Sequence, residues 1–246
     1  MQIRNVHAYN IRDAIHAIRN SWNSWGKSDT PYFSDPGCHY IGPEDLQLFL
    51  KLMRQTDLSD SGHNYIGPED LQLCQKLYKA GPSHRKFMRQ IMVSMNVVAP
   101  LYWWKQFDTY KVGVTSNSCS TMHTLMEHPL AMENFEIGSL EIPYEDGKEI
   151  KDVFELYLKA INTLIDRYKE EKKDWIFDRV IQMLPESFLQ LRSITMNYEV
   201  CATIYEQRKN HKLQEWKLFI DALFTLPYFG AIILDDTQQG TLHEGA

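Results

Sequence analysis

Two stretches of the chain concentrate side chains able to hold a small molecule. Ala99–His123, APLYWWKQFDTYKVGVTSNSCSTMH, sets amide, hydroxyl and cationic groups on an aromatic-rich helix followed by a small-residue loop. Small residues let a ligand approach the backbone and offer short hydrogen-bonding groups. The second stretch, Leu184–Trp216, carries Asn197 and Arg208 eleven residues apart. On one helix Asn197 and Arg208 would share a face and stand roughly 16 Å apart, with Cys201 and Ile204 between them. An amide and a guanidinium on one stripe could grip two ends of an elongated ligand.

Plainer roles compete with these. Trp103 and Trp104 suit a core or an interface more readily than a stacking platform, and Arg208, within EQRKNHK, equally suits an exposed polar helix face. The histidines show no H-E-x-x-H spacing and the four cysteines no C-x-x-C pair, so no metal site is expected. There is no G-x-S-x-G, Walker loop or Rossmann fingerprint. A net charge of −6 gives no basic footprint for a nucleic acid, although local basic pockets remain open. No run approaches the roughly 20 apolar residues that span a bilayer. MQIRNVHAYN lacks the charged-then-apolar plan of a signal peptide. A soluble, cytoplasmic protein is expected.

Several elements must position these groups. IRNVHAYN alternates as a short strand, and IRDAIHAIRNSW carries a helical stripe through Ile11, Ala14/Ile15, Ile18 and Trp22. RQIMVSMNVVAP reads as a strand with Val93, Met95 and Val97 on one face, and LYWWKQFDTYK as a helix. VGVTSNSCSTMH reads as loop. From Glu149 the pattern is strongly helical, RYKEEKKD (Arg167–Asp174) being a solvated surface or turn. A long helical pattern is expected from about Phe188 to Phe224. No low-complexity linker divides the chain, so a single α+β domain over 1–246 is expected.

The nonapeptide YIGPEDLQL occurs twice, at Tyr40–Leu48 and Tyr65–Leu73, within a longer match of 34–53 to 59–78. Each copy reads as a helix start: glycine at the N-cap, proline at the first helical position, then Glu-Asp in the first turn. Two copies are too few for a solenoid. Asp57–Glu69 has the oxygen-rich look of a calcium loop, but placing Gly62 at the sixth position puts Pro68 where the bidentate acid belongs. The repeat is read as a duplicated, capped scaffold helix.

At the two polar stretches the chain resembles the flavin-dependent thymidylate synthases. That family carries R-H-R-x-x-S-x-N-x-x-S-x-R after an A-P-aromatic-x-x-R-Q segment. An L-P follows, then V-N-A-R-S-x-x-N-F-x-x-L-R and A-Q-W-E. Here Ala99-Pro100 leads to Lys105-Gln106, Leu184-Pro185 precedes MNYEVCATIYEQR, and LQEW follows. Gln106 matches a substrate-contacting glutamine, Asn197 the first asparagine of the flavin helix, and Arg208 the arginine that holds the uracil nucleotide. With one inserted residue, Thr115, Asn117 and Ser120 fall on the signature's Ser, Asn and Ser. The pattern departs where R-H-R becomes Thr109-Tyr110-Lys111, where N-A-R becomes Asn197-Tyr198-Glu199, where the second asparagine becomes Thr203, and where the last signature arginine becomes Met122.

The resemblance implies an α+β fold, a twisted, mainly antiparallel sheet flanked by helices with a helix-rich C-terminal half. It further implies a homotetramer that binds FAD and methylates dUMP to dTMP, with methylenetetrahydrofolate and NADPH as cosubstrates. Arg208 would serve the nucleotide base. Gln106, Thr109 and Ser120 would face substrate, and Tyr110, Lys111, Asn117, Asn197, Glu199 and Thr203 the cofactor. Two alternatives stand beside it. One is a nucleotide-binding or structural paralogue with a rebuilt pocket, where Tyr110, Tyr198 or Trp104 stacks on another ring. The other is a plain helical interaction protein.

Overall fold

The computed structural model describes residues 1–30 and 65–234. The first copy of the repeat and all but the end of the calcium-like stretch lie outside the described residues. Four strands, β1 (Gln2–Tyr9), β2 (Met92–Pro100), β3 (Thr115–Ser118) and β4 (Leu189–Asn197), form one antiparallel sheet in the order β1-β2-β4-β3. The described helices are α1 (Ile11–Ala17), α2 (Pro68–Lys79), α3 (Lys86–Gln90), α4 (Leu101–Phe107), α5 (Thr121–Thr124), α6 (Ile150–Glu171), α7 (Asp174–Met183), α8 (Tyr198–Arg208), α9 (Gln214–Phe224) and α10 (Phe229–Ile233). The α+β class expected from the sequence is the one observed.

Strand β2 buries Val93, Met95, Val97 and Ala99 and leaves Ser94, Asn96 and Val98 half-covered, the alternation its sequence announces. Its pairing with β4 is framed by the Tyr198 N–H donating to the Ile91 carbonyl and the Leu101 N–H to that of Phe188, both 3.1 Å. On the half-covered face Ser193 Oγ donates to Asn96 Oδ1 at 2.7 Å. The alternation of strand β1 is interrupted at Asn5, whose φ of 55° is left-handed. Beyond it the inward alternation moves from Ile3 to Val6 and Ala8.

Three expectations need correction. The helical pattern read from Phe188 to Phe224 is a strand and two helices: β4, α8 and α9. Leu191, Ile194, Tyr198 and Cys201 do satisfy helical spacing. However, Ile194 and Met196 are buried while Leu191, Ser193 and Thr195 are exposed, which is a strand's period of two. The expected loop VGVTSNSCSTMH contains β3 and α5. Strand β3 continues into a Cys119 N–H that donates to the Leu191 carbonyl at 2.9 Å, so tertiary pairing overrides a weak local preference. Lastly, α1 stops at Ala17: Ile11, Ala14 and Ile15 are buried as expected, but Trp22 is 85% exposed.

The chain forms two compact units, Met1–Asn5 with Met95–Ile194, and Val6–Ser94 with Thr195–Ala246. In the first, α6 packs on α7, the turn between them made by Lys172 in the left-handed conformation at φ 52°. Ile161 and Ile165 of α6 meet Leu130, Phe135, Val180 and Phe188 in one core, where Phe135 stands edge-on to Phe154 and Phe188 at 5.2 and 5.8 Å. The RYKEEKKD run is the exposed end of α6, with Arg167 paired to Glu171 and Lys173 to Glu171.

In the second unit α3 packs against α1 and α8, α8 against α9, α9 against α10, and α10 against α2. Helix α2 is the second repeat copy and starts as its sequence dictates, with Gly67 at the N-cap and Pro68 in the first turn. Its real cap comes from far away. Asp29 accepts hydrogen bonds from the Glu69 N–H at 2.7 Å and the Asp70 N–H at 3.0 Å. A Cβ at Gly67 would collide with that Asp29 side chain, so glycine is required here for close approach.

Asp70 itself is fully buried. Its Oδ1 accepts from Arg19 Nε and Nη2 at 2.8 and 2.5 Å. Its Oδ2 accepts from Ser28 Oγ at 2.6 Å and Thr30 Oγ1 at 2.7 Å. Thr30 Oγ1 also accepts the Gly67 N–H at 3.1 Å, and Tyr228 Oη the Ile66 N–H at 3.2 Å. The first-turn acid that suggested a simple dipole contact is thus the hub of a buried network.

Candidate functional site

In the first unit the candidates follow from helix α4. Its N-terminus is fixed by Leu101 and Tyr102 N–H groups donating to the carbonyls of Phe188 and Glu186. Trp103, Trp104 and Phe107 form its buried face, with Trp103 stacked on Phe107 at 5.1 Å. Trp104 Nε1 donates to the Gln190 carbonyl at 3.0 Å. The tryptophans therefore serve the interior.

Gln106 is half-buried, and its carbonyl accepts from Thr109 Oγ1 at 2.7 Å, closing the turn after α4. Tyr110 leans on Phe107 at 6.2 Å. Lys111 and all four residues of β3, Asn117 among them, are exposed. Ser120 sits at the N-cap position of α5, where its carbonyl accepts from the His123 and Thr124 N–H groups. This places Thr109–Lys111 on an open turn and Asn117 on an open strand, both reachable by a ligand.

A residue not singled out from the sequence lies among them. Arg192 of β4 lays its guanidinium over the Trp104 ring, 4.3 Å from the centroid. Its Nε donates to Gln190 Oε1 at 2.9 Å and its Nη1 to Asp108 Oδ1 at 2.8 Å. Side-chain exposure is 16% for Arg192 and 52% for Asp108, so the carboxylate is the outward member of the pair. Reading 188–224 as helical hid this arginine. Strand parity with Ile194 and Met196 would have put it on the packed face, over α4.

In the second unit Asn197 ends β4 and caps α8, its Oδ1 accepting the Val200 N–H at 3.1 Å. Tyr198 is buried and its hydroxyl donates to the Pro227 carbonyl at 2.7 Å. Burial pushes that phenol well above its usual range. Glu199 is held by Arg89 of α3, the guanidinium reaching both carboxylate oxygens. Thr203 Oγ1 donates back to the Glu199 carbonyl at 2.9 Å.

Arg208 closes α8, its guanidinium 4.7 Å from the Trp216 ring centroid. His211, three residues on, accepts the Leu213 N–H at Nδ1. Its pKa is lowered by desolvation first and by Arg208 second. Cys201 and Ile204, placed between Asn197 and Arg208 by the sequence, are fully buried. The stripe joining the two candidates is therefore core, and they stand at the two ends of α8 without a ligand-facing surface between them.

Among the described residues no His/Cys/Asp/Glu group could hold a metal ion, and no helix is long and apolar enough to cross a membrane. A shallow hollow of 300 Å³ in the first unit is lined by Met132, Ile137, Gly138, Ser139, Leu140, Glu141 and Lys151, and includes none of the candidate residues.

No protein-family model and no curated protein sequence matches the chain. Solved structures do. The flavin dependent thymidylate synthase ThyX from Helicobacter pylori, complexed with FAD and dUMP, superposes with a TM-score of 0.59 at 17% identity. The alignment covers 96% of this chain and 99% of that one. A second structure of ThyX from Helicobacter pylori with FAD and dUMP gives 0.58 at 16% identity, covering 96% and 98%. A UMP/dUMP methylase, PolB from Streptomyces cacaoi bound with 5-Br dUMP, gives 0.47 at 13% identity over 75% of this chain and 88% of that one, too distant to carry an argument. The chain has the fold of the flavin-dependent thymidylate synthases.

Proposed function

We propose that this protein is a flavin-dependent thymidylate synthase-like protein that binds a uracil nucleotide. In its full form the activity is reductive methylation of dUMP to dTMP, with FAD as cofactor and methylenetetrahydrofolate and NADPH as cosubstrates. A cytoplasmic homotetramer belongs to the same proposal. The observation that carries it is the superposition over 96% of the chain on synthases complexed with FAD and dUMP. The ordered match of Gln106, Asn117, Ser120, Asn197 and Arg208 to the family's motifs supports the reading.

The donor set fits the flavin in part. Lys111 and Asn117 are exposed and can meet an anionic or hydrogen-bonding cofactor group. Asn197 Oδ1 is committed to its cap, Thr203 Oγ1 to the Glu199 carbonyl, and Glu199 to Arg89. Where bound, FAD would supply the redox chemistry and the chain would orient the reactants.

A second reading, a non-catalytic nucleotide-binding paralogue, is favoured by one specific observation: the acid at Glu199 already occupies the guanidinium of Arg89. A visible absorption spectrum of the purified protein, with and without excess FAD, separates the two. Bound flavin supports the synthase reading and justifies turnover assays with dUMP. A protein that is colourless once unbound FAD has been removed supports the paralogue.

A further inference from the structure

Resting on the reading of Arg208 as the residue that meets a uracil nucleotide, we propose that Trp216 and His211 are its positioning residues. The tryptophan face sets the plane of the guanidinium, and the histidine fixes the corner that brings the two together.

All three residues belong to the second unit, Arg208 closing α8 and Trp216 lying in the first turn of α9. Three hydrogen bonds in series close the corner between those helices. The His211 N–H donates to the Arg208 carbonyl at 2.9 Å, the Leu213 N–H to His211 Nδ1 at 3.2 Å, and the Trp216 N–H to the Leu213 carbonyl at 3.2 Å. Arginine and tryptophan are thus tied through His211 and Leu213 without a break. The family's A-Q-W-E reads Leu213-Gln214-Glu215-Trp216 here. The ring therefore enters α9 one position later, about 100° around the helix.

Trp216 is fully buried, with the rings of His211 and Phe219 edge-on to it at 6.2 and 6.0 Å. Arg208 is half-buried, its guanidinium carbon 4.7 Å from the Trp216 centroid, so the ring is the floor and the cation lies on it. A guanidinium over a ring keeps its N–H donors in its own plane, along the edge by which a planar base is met. Fixing that plane before a ligand arrives removes part of the ordering cost of binding.

The test is isothermal titration of dUMP into the whole protein, with FAD present, for the native chain and two pairs of variants. Trp216→Phe keeps an aromatic face, whereas Trp216→Leu keeps only apolar bulk. His211→Asn keeps an acceptor for the N–H two residues on, whereas His211→Ala does not. Each protein is titrated well below its own melting temperature, so that lost stability does not read as lost binding. The Leu and Ala variants should bind dUMP about fivefold or more weakly than the native chain, and the Phe and Asn variants within about threefold of it. In either pair, equal affinities of the two variants overturn the inference and leave the reading of Arg208 intact. Should a Trp216 variant fail to fold, the His211 pair decides alone. A native chain that does not bind dUMP overturns the reading of Arg208, and this inference with it.

Discussion

Arg19 and Asp70, 51 positions apart, form a buried ion pair in which two guanidinium nitrogens converge on one carboxylate oxygen. The other oxygen is filled by Ser28 and Thr30. Burying a charge is costly unless it is paired and fully hydrogen-bonded, and Asp70 meets both conditions.

Asp70→Asn should therefore be severe. It keeps the shape, removes the charge and leaves Arg19 buried without its counterion, an expected loss of about 3–5 kcal/mol. Against a typical total of about 5–15 kcal/mol this lowers the denaturation midpoint clearly in urea. Adding Arg19→Met to Asp70→Asn should cost little more, since the charge left behind is gone. A variant unfolding at the native midpoint would mean that the network contributes nothing.

Gly67→Ala should destabilise through Asp29. The new methyl meets the carboxylate that caps α2, and displacing it forfeits about 0.5–2 kcal/mol of capping. Asp29→Ala alone should lose a similar amount. Asp29→Ala removes the carboxylate from the path of the new methyl but leaves the Asp29 carbonyl oxygen 2.5 Å away, so Gly67→Ala should remain destabilising in that background, which thermal denaturation of the double variant reads directly. A double variant that melts at the temperature of Asp29→Ala alone would show that close approach to the Asp29 backbone does not set the requirement for glycine.

Arg208→Ala separates binding from scaffold. The contact over Trp216 is worth about 0.5–1 kcal/mol, so the melting temperature should move by only a few degrees, whereas binding of dUMP should vanish in a calorimetric titration. A large stability loss with unaltered binding would make Arg208 structural.

His211 should leave a mild acid limb in stability. Its folded pKa lies below the ordinary 6.5, so the native state favours the neutral ring. The associated stability is present above about pH 6.5 and is lost as pH falls through the lower folded value. Melting temperatures between about pH 8 and pH 5 should fall less steeply for His211→Gln than for the native chain. Identical slopes would remove His211 from the account.

The α+β class, β2, α4 and the start of α2 were legible because each carries its own local signal: alternation in VSMNVVA, a helical stripe in LYWWKQF, and Pro68 after Gly67. The helix called from Phe188 failed because apolar residues in LRSITMNYEVC satisfy both periods at once, and only pairing with β2 decides between them. The candidate residues on the Thr109–Lys111 turn and at the ends of α8 were found through motif order. Arg192, Asp108 and Arg89 were not, because their meaning lies in partners 84 and 110 positions away. The capping of α2 was half visible: the glycine announced a helix start, while the reason for it, Asp29, lies far upstream.

The hub around Asp70 also bears on how the repeat arose. The copied segment carries the carboxylate, whereas Ser28, Asp29 and Thr30 lie upstream of both matched stretches, 34–53 and 59–78. A key was copied without its lock. One set of partners can satisfy one carboxylate at a time, so nine identical positions are under unequal selection. Asp70 and Gly67 should resist nearly every replacement in a saturation screen for folded protein. The present identity of the two copies marks the duplication as recent.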